Sequence, residues 1–67
     1  MENQIKQLLE TSSLYDGVFG SLFGEVSLLV QNINGVFYVS FYTKTSKVKQ
    51  LTFNSMLEAV SKIKKMI

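Results

Sequence analysis

Tyr38 and Tyr42, together with Lys44, Lys47 and Lys49 just beyond them, are the side chains of this chain best suited to contact a partner. Strand side chains alternate between faces, so two tyrosines four positions apart in a β-patterned run share one face. Such a pair supplies large contact area at low entropic cost, which suits a protein interface; Leu29 and Val36 extend it. Tyrosines among cations also suit base stacking in single-stranded nucleic acid. The plainer reading is that β-propensity alone places tyrosine on a solvent-facing strand. The lysines of residues 44–49 could grip a phosphate backbone with modest, salt-sensitive affinity. Their plainer role is to solvate a turn and keep a sheet edge from aggregating.

No catalytic constellation accompanies them. Histidine and cysteine are absent, which removes the commonest general base, the commonest metal ligands and any disulfide staple. Ser12, Ser13 and Ser46 have no base to activate them. Glu2, Glu10, Asp16, Glu25 and Glu58 include no pair at acid/base spacing on a shared element. Residues 17–24, GVFGSLFG, resemble a phosphate loop only in their glycines, since no Lys-Ser/Thr follows and a strand comes next. The expectation is a non-enzyme with no catalytic residue, no metal, no cofactor and no small-molecule substrate.

Charge is uneven. The net +2 of the 67 residues divides into −3 over residues 1–43 and +5 over residues 44–67, so the second part could meet an acidic partner. Every cation is lysine, and the bidentate fork with which arginine reads guanine edges is missing. Nucleic acid is accordingly a less favoured partner than protein. No apolar run approaches the ~20 residues of a membrane span, and the opening Met1-Glu2-Asn3-Gln4 does not read as a secretory signal. A cytoplasmic protein is expected, with no membrane partner.

Secondary structure follows from periodicity. Residues 2–11 put Ile5, Leu8 and Leu9 on one helical face, with Thr11-Ser12-Ser13 as a polar stop and residues 14–17 as a turn. Three glycines weaken any regular element over residues 17–24, which read as an apolar connection packed under a sheet, with one helical turn as an option. Asn34-Gly35 marks a two-residue type I′ hairpin loop. It pairs Ile33 with Val36, Gln31 with Tyr38, Leu29 with Ser40 and Ser27 with Tyr42, and turns Val26, Leu28, Val30, Phe37, Val39 and Phe41 to the core. Residues 43–47 read as a turn and 48–53 as a third strand with Leu51 and Phe53 inward. Asn54 or Ser55 then caps a helix whose Met56, Leu57, Val60, Ile63 and Ile67 recur at spacings of three and four, with Lys62, Lys64 and Lys65 at its cation-favouring end.

The expected fold is α+β, one small domain over residues 1–67: a three-stranded antiparallel sheet with N- and C-terminal helices on one face, α-β-β-β-α. So short a chain barely offsets its folding entropy, and a homodimer is one remaining source of stability. Phe19 and Phe23, beside Leu22, could then serve an interface with a partner or a second copy. The element order is similar to that of double-stranded RNA-binding domains. That family places lysines at the start of its closing helix, where this chain has Asn54-Ser55-Met56-Leu57-Glu58, so RNA binding is not carried over. Small inhibitors encoded by phages and plasmids, some anti-CRISPR proteins among them, look similar in size and build. The function expected is protein binding, as such an inhibitor or a regulator that occludes a partner's surface. The alternative is non-sequence-specific nucleic-acid binding through Lys44, Lys47, Lys49 and the tyrosines.

Overall fold

Asn34 and Gly35 take positive φ, 53° and 85°, as both central residues of a type I′ loop must. The Asn32 Oδ1 accepts a hydrogen bond from the Gly35 N–H at 3.2 Å and supports the loop from the preceding strand. The computed structural model in which this is seen describes residues 2–44 and 47–67. In chain order its elements are α1 (Glu2–Leu14), β1 (Val18–Phe23), β2 (Val26–Ile33), β3 (Val36–Tyr42), β4 (Lys47–Phe53) and α2 (Met56–Met66). The strands form one antiparallel sheet in the order β1-β2-β3-β4.

The β2–β3 register is the one that the loop predicts, with Ile33 opposite Val36, Gln31 opposite Tyr38, Leu29 opposite Ser40 and Ser27 opposite Tyr42. The inward set is correct too. Leu28, Val30, Phe37, Val39 and Phe41 are buried, and Val26 packs beside them. Ile5, Leu8 and Leu9 of α1 and Ala59, Val60 and Ile63 of α2 join the same cluster, so both helices lie on one face. Each valine, leucine or isoleucine side chain buried there contributes about 1.5–3 kcal/mol relative to exposure.

The sheet has four strands rather than three, because residues 17–24 are not an irregular connection. Two of the three glycines lie outside the strand: Gly17 at φ 128° enters it, and Gly24 at φ 65° opens the Gly24-Glu25 loop to β2. Only Gly20 is internal. A Cβ there would fall 2.6 Å from Leu29 Cδ2 and 3.2 Å from the Leu28 carbonyl oxygen, so the missing side chain makes room for Leu29 to lie across β1. The added strand also ends the likeness in element order to double-stranded RNA-binding domains.

Helix α1 runs on through the expected stop. Thr11 Oγ1 donates to the Gln7 carbonyl at 2.8 Å, and Ser12 Oγ and Ser13 Oγ donate to the Leu9 carbonyl at 2.7 and 3.1 Å. These hydroxyls find their acceptors within the helix, one turn back, which satisfies the buried Ser12. Ser55 is the N-cap of α2, in extended conformation, with its carbonyl accepting from the Ala59 N–H at 3.0 Å; its hydroxyl makes no capping bond. Strand β4 begins at Lys47, and a register shift beside Phe41 and Tyr42 marks a bulge. Phe53 is buried and Leu51 partly so, as expected. Of the turn expected over residues 43–47, Thr45 and Ser46 lie outside the described residues.

Leu57 is the one apolar residue of α2 that leaves the expected stripe. It is 82% exposed, because at 3.6 residues per turn it lies about 100° round the helix from the direction shared by Met56, Val60 and Ile63. Ala59 takes the inward place. Leu9→Ala is therefore expected to cost about 2–5 kcal/mol in urea unfolding, whereas Leu57→Ala should change stability by less than about 0.5 kcal/mol. Comparable losses for the two would contradict this helix orientation.

Candidate protein-binding face

Strand parity places Tyr38, Tyr42, Leu29 and Val36 together on the sheet face away from the helices. Tyr38 is 36% exposed, and the other three are half-buried by their neighbours. Because Gly20 is opposite Leu29 and Val18 opposite Gln31, β1 continues this face and adds Val18 and Leu22, which are 57% and 72% exposed. Ile33 stands on it at the hairpin end, also exposed. Between β1 and β4 lies a shallow depression of about 210 Å³, lined by Val18, Leu29, Gln31, Tyr38, Ser40, Tyr42 and Gln50. The face is apolar along β1 and at the hairpin end and polar toward β4, where Gln50 and Thr52 stand opposite Ser40 and Tyr38.

Val18 and Leu22 belong to this face only because residues 18–23 form a strand, and the reading of residues 17–24 as a connection misses them. Period-two alternation is the signal that finds them: Phe19, Ser21 and Phe23 point one way and Val18, Gly20 and Leu22 the other. Gly20 and Ser21 blunt the contrast. The same alternation removes Phe23 from the contact residues. It is buried in the core and has no surface to offer, while Phe19, half-buried, packs against the core.

Lys49 does not share the tyrosines' face. Lys49 is exposed and stands opposite Phe41, on the parity of the helix-bearing face. The backbone of Lys47 is opposite Tyr42, but its side chain lies outside the described residues. Lys44 is exposed in the bend after β3. Among the described residues, no three His, Cys, Asp or Glu side chains converge, and no helix is long and apolar enough to cross a membrane.

The clearest electrostatic contact is on the helical side. Lys64 Nζ donates to Glu2 Oε1 at 2.6 Å, with both side chains about half exposed. It joins the start of α1 to the end of α2, where the charges also suit the two helix dipoles. The hydrogen bond from Lys64, and then its charge, hold the Glu2 carboxyl below its ordinary value. Comparison with protein-family models, curated proteins and solved structures finds no match to this chain.

A depressed carboxylate pKa contributes stability above the unfolded-state value, which is lost as pH falls through the folded-state value. Lys64→Ala should therefore raise the Glu2 pKa toward the ordinary glutamate value in an NMR titration. It should also flatten stability against pH across that acidic window. An unmoved Glu2 titration would show that the ion pair does not form in solution.

Proposed function

We propose that this chain is a non-enzymatic protein-binding module that presents the helix-free face of its sheet to a protein partner and acts by occluding that partner's surface. The observation that carries this reading is the one-sidedness of the sheet: both helices pack on one face, and the other keeps Val18, Leu22, Leu29, Val36, Tyr38 and Tyr42 uncovered by any element among the described residues. Tyrosine and aliphatic side chains fixed on paired strands lose little entropy on docking, which is what makes such a face an efficient contact surface. Inhibition by occlusion, of the kind that mobile elements encode, suits a chain of this size because it requires shape and apolar contact and no chemistry of its own.

The separation of Lys49 from the tyrosines counts against the nucleic-acid alternative, since stacking platforms need cations beside the aromatic faces. The test uses tagged protein captured from lysate with and without nuclease, with a photo-crosslinker at position 40, between the two tyrosines on the same face, to identify whatever touches that face. Tyr38→Ala combined with Tyr42→Ala is expected to leave the circular dichroism spectrum unchanged and to abolish capture and crosslinking of a stoichiometric protein. Capture that persists in the double variant would move the site elsewhere, and loss of all bound material on nuclease treatment would favour nucleic acid.

A further inference from the structure

A second surface, which shares Val18 and Leu22 with the sheet face, is the open edge of β1. The sheet has two edges, and they differ. Strand β4 carries lysines at 47 and 49 and a bulge against β3, the usual devices that keep an edge from pairing with another chain. Strand β1, VFGSLF, carries no charge, no proline and no bulge against β2. Asp16 and Glu25, the nearest charges along the chain, lie outside it at its two ends.

The Gly24-Glu25 loop determines which backbone groups of β1 face outward. A two-residue hairpin loop makes its closing pair, Phe23 and Val26, a hydrogen-bonded pair, and such pairs recur at every second position. Ser21 with Leu28 and Phe19 with Val30 are then bonded to β2. The N–H and C=O groups of Val18, Gly20 and Leu22 point to the open edge.

We infer that β1 pairs antiparallel with β1 of a second copy about a two-fold axis at Gly20, joining two four-stranded sheets into one of eight strands. In this register Val18 lies opposite the second copy's Leu22, Gly20 opposite Gly20, and Leu22 opposite Val18. All three outward-facing residues of each strand are used, in roughly six backbone hydrogen bonds. Centring the axis on Ser21 instead leaves Val18 facing the Gly24 loop and uses fewer. The side chains are self-complementary in the Gly20-centred register. Two exposed aliphatic pairs meet on the tyrosine face, and on the other face Phe19 stands opposite Ser21, large against small. Beside Ser21 on that face is a groove of about 320 Å³ between α1 and β1, lined by Gln4, Gln7, Leu8, Thr11, Phe19, Gly20 and Ser21, at the place where the incoming Phe19 arrives. A second copy therefore supplies the strand, the apolar contacts and a side chain for the groove. This inference does not rest on the tyrosine face being a binding site.

Sedimentation across a wide concentration range, combined with amide hydrogen exchange on the unmodified protein, tests it. The expected result is a dimer in which the Val18, Gly20 and Leu22 amides become protected as concentration rises. Monomeric behaviour throughout, or a dimer without protection of those amides, would overturn it. Variants V18K/L22K and V18K/L22E then fix the register, at two positions exposed enough to accept them. The first sets lysine against lysine across the seam and should weaken association about tenfold or more. The second sets lysine against glutamate at both ends of the seam and should restore it. A folded V18K/L22E that stays monomeric would exclude the Gly20-centred register, and an undiminished V18K/L22K dimer would exclude β1 as the seam. Tyr38→Ala with Tyr42→Ala should leave association unchanged.

Discussion

The Asn34-Gly35 loop is the constraint on which the remainder of the molecule depends. It needs positive φ at two successive positions, and asparagine followed by glycine meets that need at little steric cost. With the loop fixed, β2 and β3 have no freedom of register, and strand alternation assigns every side chain of both to a face. A slip of one residue would turn Leu28, Val30, Val39 and Phe41 to water and bring Ser27, Gln31, Tyr38 and Ser40 to the helices. The core, the docking of α1 and α2 and the exposure of the tyrosines all follow from a dipeptide far from most of them.

The sequence is informative where its periods are unmixed. The central hairpin alternates strictly on its inner face, so its register, its core side and the position of the tyrosines are legible without coordinates. The closing helix is legible in extent, though its apolar stripe is one leucine too wide: Leu57 satisfies the i, i+3 spacing to Val60 while pointing away from the core. Spacing names the neighbours of a helical residue and leaves the direction of the sheet unstated, and that direction separates Ala59 from Leu57.

Residues 17–24 are harder because both faces of β1 are apolar or small, so neither period dominates. Glycine count also misleads there. Gly17 and Gly24 serve backbone geometry at the ends, while Gly20 answers a tertiary demand, the passage of Leu29 across the strand, which no local pattern encodes. Thr11, Ser12 and Ser13 mislead in the opposite sense: residues that often end a helix lie within this one, their hydroxyls bonded to carbonyls one turn back. The candidate face is half visible in the sequence for these reasons, complete on β2 and β3 and missing on β1.

Every strand pairs with its neighbour in sequence, through loops that in two of three cases are two residues long. The contact between Glu2 and Lys64, by contrast, spans 62 positions. Closing a short loop costs little chain entropy, and closing nearly the whole polypeptide costs more. The ladder is thus built from contacts of low sequence separation, and the meeting of α1 with α2 from contacts of the highest. The helix pair is a clasp drawn across a local scaffold, and what it fastens is the buried side of the sheet.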